Sequence, residues 1–246
     1  MPGQKRLIAA GVLALLLGLL ILFPARVAYR WFVPPELQLS GITGTLWRGE
    51  AGEGTADGFY LGHLKWRFKP LSLLAGKAGF LLTADPVSGF IETGVAVGLD
   101  GNVSFSALDA ALPMATFKNG IPSLRGIDGS ITLQFESVVL ADGMPVEADG
   151  TLVLSNLVVR DLSGSPLGEY RAVFQTGDNG ISGQVQDVSG VVDIDGTIQL
   201  RPDRSYLFSG QIAAAANAPS AMVQQLQYLG SPDAEGKRTF RFEGQL

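Results

Sequence analysis

The hydrophobic pattern divides the chain into two unequal parts. Residues 7–23 read LIAAGVLALLLGLLILF, with no charged or strongly polar side chain. At about 1.5 Å per residue, a helix of that length spans roughly 26 Å, the short end of a membrane crossing. Beyond it the period changes to two. Leu64, Trp66 and Phe68 alternate with His63, Lys65, Arg67 and Lys69, and Ile131, Leu133 and Phe135 alternate with polar neighbours. Tyr170, Ala172 and Phe174 do the same; Val192, Ile194, Ile198 and Leu200 keep one parity; Phe240 and Phe242 close the series. Alternation with one apolar face predicts half-buried antiparallel strands.

Short helices interrupt the strands. Pro70-Leu71-Ser72-Leu73-Leu74-Ala75-Gly76 opens on Pro and closes on Gly, which predicts one or two helical turns. Over 219–229, Met222, Leu226 and Leu229 share a face, with Val223 beside them and Gly230 as the stop. Asp109, Pro113, Gly120 and Pro122 make 107–122 read as a loop with one helical turn. The expected fold is mainly β: a single N-terminal transmembrane helix followed by a curved antiparallel β-sheet domain with a few short helices. The expected organisation is a cytoplasmic N-terminus over 1–6, a transmembrane helix over 7–23, a juxtamembrane linker over 24–35 and one periplasmic β-rich domain over 36–246.

The charges flanking the apolar run set its orientation. Lys5 and Arg6 precede it, which places the N-terminus in the cytoplasm; Arg26 and Arg30 beyond the far end pull the other way. A cleaved signal peptide is the rival reading. The exit Phe23-Pro24-Ala25-Arg26-Val27-Ala28 puts Arg26 where a small residue belongs, and the run exceeds a usual signal core, so it reads as an uncleaved anchor. Tyr29, Trp31 and Phe32 then sit at the far interface, and Pro34-Pro35 ends the helix in extended chain. The rest lies outside the cytoplasm, in the periplasm of a bacterium with an inner membrane.

Composition narrows the chemistry. There is no Cys among the 246 residues, so no disulfide framework, thiol nucleophile or thiolate metal site exists. That suits an oxidising compartment. The single His, His63, cannot build a His-based zinc site. Four of the 18 basic residues flank the apolar run, which leaves 14 against all 23 acidic ones in the body. An acidic body argues against nucleic acid as a partner. Gly is abundant, 32 residues or about 13% against a usual value of about 7%. A Gly-Thr/Ser-apolar triplet recurs at Gly44, Gly129, Gly150 and Gly196, and reads as turns that open strands of repeated hairpins.

No nucleophile elbow, phosphate loop or dinucleotide fingerprint is present. Asp187, Asp193 and Asp195 offer oxygen ligands to a hard cation, but read as solvated strand charges, as do Glu50, Glu53 and Asp57 in their Gly-rich segment. No catalytic, cofactor-binding or metal residue is assigned, and the chain is not read as an enzyme. His63, Lys65, Arg67 and Lys69 form one basic strand face. It reads either as a solvated face or as a contact for phospholipid headgroups or an acidic partner. Trp47 and Trp66 read as packing anchors.

Two blocks carry a family resemblance. Gly44-Thr45-Leu46-Trp47-Arg48-Gly49 is followed by Trp66, Pro70, Leu74 and Gly76 in a W-x-x-x-P-x-x-x-L-x-G arrangement, and the chain closes on a strand over 240–246. Together these resemble the protein N family of the type II secretion system, whose grammar is shared by AsmA-like proteins. The resemblance implies a single-pass inner-membrane protein with a periplasmic β-domain. It would act as an accessory or structural component of the secretion apparatus beside other subunits, with no catalytic residues. The AsmA-like side implies the alternative, a lipid-binding or lipid-transfer module.

Overall fold

The structure, a computed structural model, describes residues 2–33, 35–117, 124, 126–160 and 165–245. Helix α1 (Pro2–Ile21) carries Lys5 and Arg6 near its start and ends short of Phe23. Among the described residues no helix is long and apolar enough to cross a membrane. The chain breaks at Pro24, which is extended, and resumes as helix α2 (Ala25–Phe32). The stretch expected to be a linker therefore holds a helix. Pro34 and the side chain of Phe32 lie outside the described residues.

The strands form one antiparallel sheet of 14. Its first half comprises β1 (Leu37–Ser40), β2 (Thr43–Gly44), β3 (Arg48–Ala56), β4 (Phe59–Lys69), β5 (Lys77–Asp85), β6 (Phe90–Gly98) and β7 (Val103–Pro113). Its second half comprises β8 (Ile127–Ala141), β9 (Met144–Val159), β10 (Tyr170–Gly177), β11 (Gly180–Asp187), β12 (Val192–Leu200), β13 (Ser205–Ala214) and β14 (Arg238–Gln245). Apart from β2, which pairs with β3, the strands lie side by side in chain order. Strands β1 and β14 are the two edges.

Register turns the predicted alternation into one continuous apolar face. Leu64, Trp66 and Phe68 of β4 stand opposite Ala84, Leu82 and Phe80 of β5. Phe80 continues to Val95, then Phe105, then Val138. In the second half, large and absent side chains alternate across strands through Phe135, Gly150, Phe174, Gly183 and Ile198, and Ile198 then pairs with Phe208. The Phe135 and Phe174 rings meet over Gly150 at 5.9 Å between centroids.

That alternation corrects the reading of the Gly-Thr/Ser triplets. Gly150 and Gly196 lie inside strands with ordinary backbone, and neither opens one. A Cβ on Gly196 would sit 3.1 Å from both the Phe208 and Phe240 rings, so the position is kept small by the aromatic side chains that lean over it. Gly129 sits at a register shift between Asp128 and Ser130, a bulge with φ 135.

Among the described residues, α-helices pack at the two ends of this face. At the first, Ala25 of α2 packs with Ile42, Ala51, Leu64 and Ala84. At the other, Met222 and Leu226 of α3 (Ser220–Gln227) pack on Leu167 and Val192, as the spacing predicted. Between them no large side chain among the described residues is fully buried. The turn predicted after Pro70 is a 3-10 turn over Pro70–Ala75, ended by Gly76 at φ 69. The loop expected from 107 is instead strand as far as Pro113, followed by a 3-10 turn over Met114–Phe117. Pairing with β6 and β8 on both sides overrides the strand-poor composition Ala107-Leu108-Asp109-Ala110-Ala111. Gly120 and Pro122 lie outside the described residues.

Candidate functional site

The family-like motif assembles at one place, where the N-terminal helices meet the sheet. Its centre is a tight turn from Thr45 to Arg48. The Thr45 backbone N–H donates to the Arg48 carbonyl at 2.9 Å, and the Thr45 hydroxyl lies 3.3 Å from the Arg48 backbone N–H. Gly44 enters that turn at φ 87, a conformation a side chain rarely adopts. The turn leaves Leu46 and Trp47 facing the helices. Leu46 N–H donates to the Phe23 carbonyl at 2.9 Å, and Trp47 Nε1–H donates to the Leu20 carbonyl at 2.8 Å. Leu20 lies in the last turn of α1 and Phe23 two residues beyond its end, so the motif supplies donors from the sheet at the C-terminus of the helix, where carbonyls run out of intrahelical partners.

The aromatic side chains carry this contact inward. Trp47 meets Phe68 edge-on at 4.8 Å, and Phe68 meets Phe80 at 5.3 Å. Trp66 Nε1–H donates to the Thr45 carbonyl at 3.2 Å, which ties β4 to the turn. A Cβ on Gly49 would overlap the Trp66 ring and the Thr43 carbonyl, so the spacing of Gly49 and Trp66 reflects a ring lying flat on bare backbone. Pro70 starts the 3-10 turn and Gly76 ends it; Leu74, within it, stays exposed.

Two flanking residues have roles that the sequence did not disclose. Arg26 Nε donates to the Ile42 carbonyl at 2.7 Å. Tyr29 bridges the first edge strand. Its hydroxyl donates to the Leu37 carbonyl at 3.1 Å and accepts from the Leu39 N–H at 3.2 Å. Ala25 and Ala28 are buried beneath them. The available signal was the i, i+3, i+4 spacing of Ala25, Ala28 and Tyr29, a small helical face that read as mere exit sequence. Arg30 and Trp31 stay exposed on the opposite side.

The basic strand face is less uniform than the sequence suggests. His63 Nε2 lies 3.4 Å from a Glu50 carboxylate oxygen, and its Nδ1 lies 4.0 Å from Asp85. Lys65 has Glu50 as its register partner, while Arg67 has Arg48. Acidic neighbours therefore balance the far end of β4, and the cationic character concentrates toward Arg48, Arg67 and Lys69, near the helix seat. Asp195 accepts from Gln184 Nε2 at 2.9 Å, and Asp187 accepts from the Ile194 N–H at 3.1 Å. These are strand latches. Among the described residues no group of three His, Asp or Glu side chains is placed to hold a metal ion.

A single antiparallel sheet in chain order, with an N-terminal helix seated on it through a Gly-Thr-Leu-Trp turn, defines a mainly β class of protein. Residues 35–241 match the family description "Type II secretion system (T2SS), protein N", and the chain belongs to that family. It is 30% identical to a type II secretion system protein N of Aeromonas hydrophila, with 99% of each chain covered. It is 26% identical to the protein of that name from Vibrio cholerae serotype O1, over 99% of this chain and all of the relative. A 47-residue Aeromonas salmonicida relative matches 19% of the chain at 36% identity. No solved structure matches the chain.

Proposed function

We propose that the protein is an inner-membrane-anchored scaffold of the type II secretion apparatus, with its N-terminus cytoplasmic and its sheet periplasmic. The observation that carries this reading is the hydrogen-bonded seat between the N-terminal helix and the sheet. Described side chains from Val12 in α1 to Leu22 just beyond it are apolar and largely exposed, so little among the described residues covers them. Residues 7–23 carry no charge. A helix this short is accommodated by local thinning of the bilayer. The Trp47 and Leu46 hydrogen bonds then transmit the orientation of the helix to the sheet.

Contact, rather than catalysis, is the work we assign. Strand β14 pairs only with β13 in the sheet order, and its outer edge is open to strand addition by another subunit. Deleting the gene and measuring extracellular enzyme export tests the role. We expect export to fall, and normal export would overturn the reading. Protease treatment of spheroplasts tests the topology, with digestion of the sheet expected and full protection refuting it.

One observation favours a second reading, lipid binding on the apolar face. Among the described residues, α-helices pack on that face at its two ends, and some of its large side chains, Phe242 among them, stay exposed. Apolar faces left this open usually meet something. Co-purified phospholipid, together with normal export in the deletion strain, would move the assignment to this alternative.

A further inference from the structure

The end of the sheet that seats α1 also carries an apolar surface that the scaffold itself does not need. In the 3-10 turn after β4, Leu71 is 77% exposed and Leu74 87%, with Leu73 also exposed. At the tip of the β6–β7 hairpin, Leu99 is 96% exposed. These leucines form one patch: Leu99 Cδ1 lies 3.9 Å from where a Cβ on Gly76 would stand.

Neither turn is loose. Ser72 Oγ donates to the Lys69 carbonyl at 2.6 Å and accepts from the Gly79 N–H at 2.8 Å, pinning the first turn to β5. Asp100 accepts from the Asn102 N–H at 3.1 Å and from Asn102 Nδ2 at 2.8 Å, fixing the second. The chain thus spends ordered backbone on holding leucines outward at positions where turns ordinarily present polar groups.

Position and charge identify the occupant. Phe68 N–H donates to the Trp47 carbonyl at 2.7 Å, and the Trp47 indole caps α1 at Leu20. The leucine turn starts two residues beyond Phe68, so it lies at the end of the sheet where α1 arrives. Lys69 immediately precedes the turn and Lys77 follows it. Arg48 and Arg67 face each other in register on the same end. Apolar side chains bordered by cations match a bilayer interface, with acyl chains beneath and anionic headgroups around.

We propose that the Leu71–Leu73–Leu74 turn and Leu99 dip into the outer leaflet of the membrane that holds α1, giving the sheet a second foothold and fixing its tilt. This rests on the anchoring reading above. The absence of native Cys makes the test clean. Single-Cys variants of the full chain, Leu74→Cys, Leu99→Cys, Val87→Cys and Leu15→Cys, would carry an environment-sensitive fluorophore. Each would be reconstituted in vesicles of phosphatidylethanolamine and phosphatidylglycerol.

We expect labels at 74 and 99 to shift to the blue, to be quenched by nitroxide lipid and to escape aqueous iodide. The label at exposed Val87, at the other end of the strands, should behave oppositely. Water-exposed labels at 74 and 99 overturn the proposal, including the case in which a protein partner covers the leucines in the cell. The label at Leu15 separates the two ideas: lipid quenching there with none at 74 removes only the second foothold, while no quenching at Leu15 removes the anchor itself. Because a bulky label can itself seek lipid, Leu71→Ser with Leu74→Ser serves as a second arm. It should restore iodide access to the label at 99, and unchanged protection there would count against a shared patch.

Discussion

Gly49 and Trp66 show how much of the junction depends on a missing methyl group. Gly49→Ala would force the Trp66 ring off the backbone and strain its bond to the Thr45 carbonyl. Overpacking of this kind costs about 1–3 kcal/mol, and a lowered denaturant midpoint with an unchanged slope is the expected result. Trp47→Phe keeps the ring on Phe68 but leaves the Leu20 carbonyl without its indole donor. A cost of about 0.5–1.5 kcal/mol follows, read as faster amide exchange around the last turn of α1. Tyr170 adds a pH dependence. Burial pushes its phenol above 10.0, and the Asp187 and Asp193 carboxylates push the same way against a hydrogen bond from the Val192 backbone. The unfolded chain then ionises first as the pH rises. The stability this group confers is intact below about pH 10, the unfolded value, and is lost as the pH climbs toward the folded value. Tyr170→Phe should be weakened at neutral pH, because its bond to the Leu167 carbonyl is gone, yet decline less steeply in alkaline denaturation curves.

At the level of elements, the sequence disclosed whatever its local period encoded. The alternation at Leu64–Trp66–Phe68 and at Tyr170–Ala172–Phe174 became β4 and β10, and the Pro70 and Gly76 signals bounded their turn. The misses have physical causes. The 107–113 segment lacks β-branched residues and carries a positive φ at Ala107, so only its two strand neighbours make it a strand. Helix α2 was hidden because alanines that fit under a helix look like the small residues of an exit sequence. The seat itself was legible as a set of residues but not as a cap, because backbone carbonyls of α1 have no letter in the sequence. Helix α3 permits a local test. Leu226→Ala removes a side chain buried against Leu167 and Val192, with a cost of about 2–5 kcal/mol. Proteolysis should then open at 220–227 while the α2 cluster at the far end stays protected.

The whole molecule behaves as a row of neighbours. Strands β8 and β9 share the longest register, from Ile127–Val159 to Ala141–Met144, whereas β14 is held from one side only. Hydrogen exchange should therefore be slowest in β8 and β9 and fastest in β14. Uniform protection across the sheet would contradict this picture of graded local stability. The same feature bears on how the protein is made. Because each strand from β4 onward pairs with the one just before it, no strand pairing beyond β4 waits on a distant strand. Pairing between sequence neighbours keeps the loops to be closed short. A polypeptide delivered from its N-terminus can zip strand by strand onto a template already laid down, leaving a single growing edge to be shielded at any moment.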